Sequence, residues 1–260
     1  MYNLKVDPHT HTIHTGHAYS TIAENVMVAA EKGLEAIAIT DHFGLQLPLM
    51  MDGREYNLEN HLKSSQLPDF MKGVRVFKGV EIDIIGFDGT LAGEEVPLYK
   101  GGKHNSFADF VMGEKEMVIA SLHYFDGFRD KGLPENTQMY IDVLAREGVD
   151  ILGHPVRCGL KFDWAAVVSA AKAYGKIIEI NNAAMLSRPH QVETNRQLAQ
   201  LCAEAGVPVC VSSDAHICFD VGRFEPAVNM LAEIGFPEEL IASRSLAAFE
   251  TALKRARGRL

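Results

Sequence analysis

Short runs of consecutive apolar residues recur along the chain, separated by stretches whose apolar positions have helical spacing. The runs are apolar throughout rather than alternating, which is typical of parallel strands buried on both faces. After the first run, Thr21 and Glu24 form a capping box, and Gly33 ends the predicted helix. Strands are predicted at 4–9, 36–40, 74–80, 117–122, 150–153, 176–180 and 207–211. Further helices are predicted at about 134–146, 163–175, 191–205, 225–234 and 245–255.

Two segments do not fit this alternation of strand and helix. Residues 43–72 contain the structure breakers Pro48 and Pro68, and are interpreted either as a lid or as a partly helical insertion on the outside. Residues 82–92, with Asp88 and Gly89 in the middle, are interpreted as a small hairpin.

A polar residue directly follows almost every predicted strand. Six strands end in His, Asp or Glu, and the strand at 176–180 ends in Asn181 and Asn182. An open doubly wound sheet gathers ligands at one crevice, whereas all the carboxyl ends of a barrel surround one mouth. The pattern therefore predicts an α/β fold, a distorted, TIM-like (β/α)7 barrel with its active site at the C-terminal ends of the strands. We expect residues 1–260 to form a single domain.

The composition limits the classes of partner. The 260 residues carry a formal net charge of −9, and binding to nucleic acid is not expected. No apolar run approaches the roughly 20 residues needed to cross a bilayer, and the first residues lack the apolar core of a signal peptide. We therefore expect a cytoplasmic protein with no membrane association. The four cysteines form no Cys-x-x-Cys pair, which argues against a thiolate zinc site or a disulfide framework.

His9 and His11 lie two positions apart at the end of the first predicted strand. Alternate residues of a strand point the same way, so the two imidazoles face one side together. Neutral imidazole nitrogen suits zinc and other divalent transition metals. One such pair is a weak signal, but more potential ligands follow the later strands at the same end. The candidate metal ligands are His9, His11, His17, His42, Glu81, His123, His154, Asp214 and His216.

Nine ligands exceed the four that one tetrahedral ion takes, so two or three ions are implied. Glu81 is the expected bridge, because its two oxygens can hold adjacent cations. Three divalent ions bring +6 and the carboxylates of Glu81 and Asp214 bring −2, which leaves about +4 at the mouth. Such a site should attract a phosphate group or another oxyanion, so we expect a small phosphorylated substrate.

Other polar residues follow the later strands. Arg157 and Arg188 are candidate substrate contacts, because a planar guanidinium matches a phosphate; surface salt bridges are the alternative. Asn182 is a third candidate substrate contact. Asp7 and Asp41 could either orient imidazoles through the ring nitrogen that does not bind metal, or cap strand ends.

The remaining histidines are expected outside the ligand set. His14 lies between two candidate ligands, and a loop or outer-shell position is favoured for it. Surface positions are expected for His61, His104 and His190.

In order along the chain, these residues resemble the PHP (polymerase and histidinol phosphatase) family, and most closely its stand-alone bacterial phosphatases with a trinuclear zinc site. The resemblance extends over nearly the whole chain, and the segments 43–72 and 100–116 do not match it. The motifs are Asp7-Pro-His-Thr-His11, His17-Ala-Tyr-Ser20, Ile39-Thr-Asp-His42, Gly79-Val-Glu81, His123, Gly153-His-Pro155, Glu179-Ile-Asn-Asn182 and Ser213-Asp-Ala-His216.

The resemblance implies a (β/α)7 barrel and three divalent ions, with Zn²⁺ favoured and Mn²⁺ or Fe²⁺ as alternatives. We expect hydrolysis of a small phosphomonoester, in which Glu81 and Asp214 act through a hydroxide that bridges two metals. The implied ligand groups are His9, His11, Glu81 and Asp214 for one ion; Glu81, His123 and His154 for a second; and His17, His42 and His216 for a third.

Three other functions remain open. An amidohydrolase usually needs a lysine after a middle strand as a modified bridging ligand, where this chain has Glu81 and His123. A phosphodiesterase or exonuclease acting on nucleotide ends is disfavoured by the charge of −9. A non-catalytic metal-binding module would enclose its ions fully in protein ligands, whereas an open coordination position favours catalysis.

Overall fold

Seven parallel strands form a sheet that curves into a nearly closed barrel. The computed structural model describes residues 2–44, 61, 64–97, 106–123 and 129–258. Two short strands, β3 (His42–Phe43) and β4 (Phe70–Met71), pair with β5 (Val74–Ile84) in addition to its barrel neighbours. The order around the barrel is β1 (Val6–Thr10), β2 (Ala36–Ile39), β5, β6 (Met117–Leu122), β7 (Ile151–Gly153), β8 (Ile177–Asn181) and β9 (Val209–Ser212).

Helices alternate with the strands, as the apolar pattern predicts. The predicted capping box is present, since the Thr21 side chain accepts from Glu24 N and the Glu24 carboxylate accepts from Thr21 N. In the described part of the chain, every helix is too short or too polar to cross a bilayer. The helices are α1 (Ile22–Glu31), α2 (Phe107–Gly113), α3 (Leu133–Leu144), α4 (Trp164–Ala173), α5 (Asn182–Ser187), α6 (Gln191–Ala205), α7 (Glu225–Glu233) and α8 (Leu246–Ala256).

The barrel closes where β1 meets the residues that follow β9. Thr10 and Ala215 form a parallel bridge, and His11 N donates to Ala215 O at 2.8 Å. Beside it, the buried Asp7 carboxylate accepts from Ser213 N at 3.0 Å and from Gly222 N at 2.8 Å. This closure brings the two ends of the barrel sheet together, and with them His11 and the residues around Ala215.

Apolar side chains fill the barrel interior and its floor. Phe77, Met117 and Ile151 form one buried cluster with Phe249 and Leu253 of α8, so the last helix packs against the barrel interior. A second, larger cluster packs the outer face of the strands against the surrounding helices. Because the interior is apolar at the floor, the polar residues of the strands collect toward the opposite end.

Two sequence expectations change in the structure. The strand predicted at 74–80 continues to Ile84, because β6 pairs with residues 79–84, so Glu81 lies inside a strand rather than after it. The predicted hairpin at 82–92 is correspondingly shorter, with an antiparallel bridge between Ile84 and Leu91. Most of the segment 43–72, interpreted as a lid or an insertion, lies outside the described residues.

Candidate metal centre

The nine predicted ligands converge at one end of the barrel, beyond its apolar floor. The ring of His9 on β1 and the ring of His11, which directly follows β1, have centroids 4.9 Å apart. The His216 ring lies 4.3 Å from that of His11, and the His154 ring lies 6.0 Å from that of His9. The His123 ring is 5.0 Å from the His154 ring. Side chains from opposite ends of the sequence therefore meet in one cluster.

Glu81 occupies the centre of this cluster and is fully buried. Its Oε1 lies 2.9 Å from His154 Nε2 and 3.6 Å from His123 Nε2. Its Oε2 lies within 3.4 Å of a ring nitrogen of each of three other histidines: His9, His11 and His42. The two oxygens of one carboxylate thus face two separate sets of imidazoles.

Asp214 forms the second acidic point of the cluster. Its Oδ1 lies 3.1 Å from His11 Nε2, and its Oδ2 accepts from Asn181 Nδ2 at 3.2 Å. Nearer the surface, His17 Nε2 and His216 Nε2 lie 2.9 Å apart. The cluster therefore extends from buried ligands at its base to half-buried imidazoles at its rim.

Buried polar atoms at the centre of the cluster make no hydrogen bond within the described structure. They include His42 Nδ1, Glu81 Oε2 and His123 Nε2, and the first two do not bond each other although they lie 2.9 Å apart. Buried polar atoms are nearly always hydrogen-bonded. Divalent cations would coordinate these nitrogen and oxygen atoms in place of hydrogen bonds, so the side chains present fit the implied metals.

Three sets of side chains each bring their ligand atoms within 4.8 Å of one another. His11 and His42 each belong to two sets, so these distances divide the ligands differently from the grouping that the resemblance implies. The sets are His11, His42 and His216; His9, His11 and Asp214; and His42, Glu81 and His123.

Two of the predicted ligands have unusual backbone geometry. His154 has a φ of 25° and Asp214 a φ of 52°, and Lys72 is the only other non-glycine residue with positive φ in the described ranges. Such backbone is unfavourable for residues with a side chain and persists where surrounding structure imposes it, often at functional sites. At both positions the barrel holds a candidate ligand in a conformation that the residue alone would avoid.

A buried acid that is not among the predicted ligands lies behind the cluster. Glu179 on β8 is fully buried, and its Oε1 lies 2.7 Å from His9 Nδ1. Its Oε2 accepts from His154 N at 2.7 Å, and its Oε1 also accepts from Ser212 Oγ. In the sequence, Glu179 is a single glutamate inside an otherwise apolar strand and the first residue of the Glu179-Ile-Asn-Asn182 motif.

Other acids support further imidazoles. Asp83, two residues after Glu81 on β5, places Oδ1 2.8 Å from His123 Nδ1. Asp41 Oδ1 accepts from Thr15 Oγ1 at 2.8 Å, and that hydroxyl lies 3.1 Å from His11 Nδ1. Asp41 therefore contacts the candidate ligand His11 through Thr15. Asp7 does not orient an imidazole but helps to close the barrel, and the acid that contacts the His9 ring is Glu179.

Burial and charge set the pKa values within the cluster. Burial, and then the nearby His42, lowers the pKa of His17 to about 4 and holds the pKa of His11 well below its usual range. Burial alone would raise the pKa of Glu81, but His42 and His9 together bring it well below its usual range. Burial opposes a rise, but Glu81 raises the pKa of both His9 and His42. Neutral imidazoles and ionised carboxylates bind divalent cations, so a cation would displace the protons that these two rings attract.

The predicted substrate contacts lie in different settings. Arg157 Nη1 lies 3.3 Å from Asp214 Oδ2 with its side chain 33% exposed, and Arg188 donates to Arg157 O at 3.3 Å. Asn182 is fully buried, and its amide bonds Arg223 O and Ala227 N at the start of α7. This geometry does not support a substrate contact for Asn182. The contact to the cluster is made by Asn181 instead.

The other histidines differ from expectation at one position. His14, for which a loop or outer-shell position is predicted, lies exposed in a single 3-10 turn at Ile13–Thr15. His190 is exposed just before α6, as expected. The surface position expected for His61 is wrong, because this residue is 5% exposed and contacts His42. His104 lies outside the described residues.

The fold and the cluster define a class of protein, namely an α/β barrel with side chains of metal-binding types gathered at its mouth. The chain matches the family model for the PHP domain over residues 7–185 and the PHP-associated model over residues 192–242. The chain therefore belongs to the PHP family, as its motifs predict.

Curated relatives agree with this membership. A Clostridium botulinum protein named "Probable phosphatase" is 40% identical over 236 residues, which span 91% of this chain and 88% of that protein. A Caldanaerobacter subterraneus protein, also named a probable phosphatase, is 38% identical over 258 residues, spanning 99% and 94%. These similarities support a metal-dependent phosphatase.

A solved structure shows the same architecture. Histidinol phosphate phosphatase from Lactococcus lactis, crystallised with zinc, L-histidinol and phosphate, superposes with a TM-score of 0.62 at 17% identity. The superposition covers 90% of this chain and 94% of that one. At this identity the likeness concerns the fold, and it confirms the predicted TIM-like barrel.

Proposed function

We propose that the protein is a metal-dependent phosphatase that hydrolyses a small phosphomonoester. The observation that carries the proposal is the position of Glu81, a buried carboxylate whose two oxygens face separate sets of ring nitrogens. A ligand shared by two cations explains this arrangement, because each oxygen then completes the surroundings of a different ion.

Three divalent ions suit the nitrogen and carboxylate ligands, with Zn²⁺ favoured over Mn²⁺ or Fe²⁺. The 3.1 Å approach of His11 to Asp214 supports the first ion, and the unpaired Nε2 of His123 supports the second. The 2.9 Å approach of His17 to His216 supports the third. We assign His9, His11, Glu81 and Asp214 to the first ion; Glu81, His123 and His154 to the second; and His17, His42 and His216 to the third.

When bound, such ions would lower the pKa of a coordinated water to about 7 and neutralise charge on the phosphoryl group. The chain itself supplies orientation and substrate binding. Arg157 and Arg188 are proposed to bind phosphoryl oxygens, because a guanidinium donates two parallel hydrogen bonds to such a group. Arg157 already lies beside Asp214, so a phosphate held near the ions would be within reach of its guanidinium.

A phosphomonoester is the favoured substrate class for two reasons. The Lactococcus lactis barrel holds zinc together with L-histidinol and phosphate, the two products of a monoester hydrolysis. The formal charge of −9 disfavours a polyanionic nucleic acid, while cations at the mouth would still attract a single phosphate.

We further propose that residues 1–260 act as one domain, although two family models match it. His9, His42 and Glu81 lie in the region of the first match, whereas Asp214 and His216 lie in that of the second. Because ligands from both regions meet in one cluster, neither region would form the metal centre alone.

Elemental analysis of the purified protein, followed by phosphate-release assays on phosphorylated metabolites including histidinol phosphate, tests the proposal. We expect three divalent ions per chain and release from at least one monoester, lost with a chelator and restored by zinc. Bis(p-nitrophenyl) phosphate serves as the diester comparison and should react more slowly. Bound metal without phosphate release would favour a non-catalytic module, and faster diester hydrolysis would favour a phosphodiesterase.

A further inference from the structure

His61 contacts the metal centre from outside the set of predicted ligands. Its Nε2 lies 3.2 Å from the carbonyl oxygen of His42, and its ring packs edge-on against Phe43 with centroids 5.5 Å apart. The residue is 5% exposed. A buried histidine therefore lies against the backbone of a proposed ligand.

The direction of this hydrogen bond follows from the partner atom. The atom facing His61 Nε2 is the carbonyl oxygen of His42, which can only accept. The hydrogen therefore belongs on Nε2, which donates to His42 O.

Lys115 in turn holds His61. Its ammonium group donates to His61 O at 2.9 Å and to Ser64 Oγ at 2.5 Å, and the residue is 3% exposed. Lys115 lies two residues before β6, the strand that leads to His123. These contacts connect the segment around His61 to the barrel and then to His42.

The backbone of His42 is thus held on both sides. Its N–H donates to Thr15 Oγ1 at 3.2 Å, and its carbonyl accepts from His61. Strand pairing of His42 with Glu81 adds a third constraint. The Nδ1 of the same residue faces Glu81 Oε2 at 2.9 Å without a hydrogen bond, which leaves it for a cation.

We propose that His61, held in place by Lys115, is a positioning residue that fixes the backbone of His42 and so strengthens binding of the ion that His42 holds. This inference rests on the proposed metal centre. Groups that support metal ligands without binding metal typically change affinity 10- to 100-fold when they are substituted. His61 acts on the main-chain carbonyl of His42. Asp83 acts on the ring of His123, and Glu179 acts on the ring of His9 and the main-chain N–H of His154.

His61→Phe and His61→Gln test the donor directly. Phenylalanine keeps a ring against Phe43 but removes the N–H, whereas the glutamine amide restores a donor near the position of Nε2. Zinc content is measured after equilibration with graded chelator, and the unfolding temperature is measured without metal. His190→Phe is the matched control, because this histidine is exposed and makes no side-chain capping bond.

We expect His61→Phe to weaken one of the bound ions roughly 10- to 100-fold, His61→Gln to recover most of this loss, and His190→Phe to match the wild type. Unchanged zinc affinity in His61→Phe, with a lower unfolding temperature, would make His61 merely structural and overturn the inference. Equal losses in both His61 variants would also overturn it, because the donor would then not be the cause.

Lys115→Met extends the test to the second contact. The methionine keeps the apolar stem but removes the ammonium group, so we expect a zinc affinity between those of wild type and His61→Phe. His61, Lys115 and Lys78 line one cavity of about 260 Å³. Lys78→Met is the control, because Lys78 donates to Asp69 rather than to His61. A wild type that binds no metal would refute the proposed function instead, which keeps the two failures distinct.

Discussion

The charge of the proposed metal centre depends on single residues, and we expect a substitution of Glu81 to change it most. It is fully buried, and its two oxygens lie within 3.6 Å of a ring nitrogen of each of five imidazoles. A group in this position determines how closely two cations can approach each other, because its negative charge offsets their repulsion.

Glu81→Gln should lose metal and phosphatase activity together. The amide keeps the volume but removes the charge and replaces one ligand oxygen with a donor, so the loss of zinc affinity should exceed the roughly 100-fold upper range of an outer-shell change. Elemental analysis and phosphate release measure the two effects. Full metal content with full turnover would contradict the role of Glu81.

Glu179→Gln should weaken zinc binding less, by about 10- to 100-fold, because Glu179 acts on His9 and His154 rather than on metal. Chelator competition measures the change. Glu193→Gln is the matched control, since this acid lies exposed on α6. An affinity equal to that of the wild type would show that His9 keeps its orientation without Glu179.

At the scale of elements, α8 and the residues after it hold the floor of the barrel. Arg257 donates to both oxygens of the buried Asp150 and to Lys115 O. Asp150 also accepts from Val118 N at 2.8 Å, where β6 begins. One ion pair thus joins the end of the chain to two strands.

Arg257→Ala should destabilise the fold by about 3 kcal/mol, because it leaves Asp150 charged and buried without its partner. This loss of stability is at the lower end of the range for breaking a buried ion pair, because the Arg257 guanidinium is partly exposed. Urea unfolding measures the effect, with Lys254→Ala on the exposed face of α8 as the control. Equal stability of the two variants would show that the ion pair between Arg257 and Asp150 does not stabilise the fold.

The penalty in Arg257→Ala should also depend on pH. Burial raises the pKa of Asp150 above its ordinary value of 3.8, and Arg257 opposes that rise. Without Arg257 the folded state keeps the proton to higher pH than the unfolded state, so stability falls as pH rises above 3.8. Unfolding at pH 4 and pH 7 should therefore show a smaller penalty at the lower pH.

At the scale of the whole molecule, the proposed ions would couple metal binding to folding. The cluster joins β1, β3, β5 and the residues after β6, β7 and β9, so ions there would connect most of the barrel. Ligands that bind only the folded state stabilise it, by about 3 kcal/mol at 100 times the dissociation constant.

Removal of metal by a chelator should lower the unfolding temperature, and zinc should restore it. Differential scanning calorimetry at fixed protein concentration measures the shift, and Glu81→Gln should show a smaller one because it retains less metal. A wild type with the same unfolding temperature in chelator and in zinc would separate the metals from the stability of the fold.

The sequence by itself determined the barrel and the gathering of nine polar side chains at one mouth. Apolar runs and the polar residue near the end of each run are local signals, readable without any partner strand. Parallel strands then place these residues together automatically, because all their carboxyl ends meet. His9 and His11 illustrate this, since the spacing of two predicts that they face one side, and their ring centroids lie 4.9 Å apart.

Only the tertiary structure decided what stands behind those side chains. Glu179, Asp83 and His61 reach their partners through barrel closure and strand register, and β5 carries Glu81 inside a strand because β6 continues its pairing. Asn182 looks like a residue of the mouth in sequence, yet its amide bonds Arg223 and Ala227. Such contacts join residues far apart in the chain, and no local pattern of apolar and polar positions specifies which of them will meet.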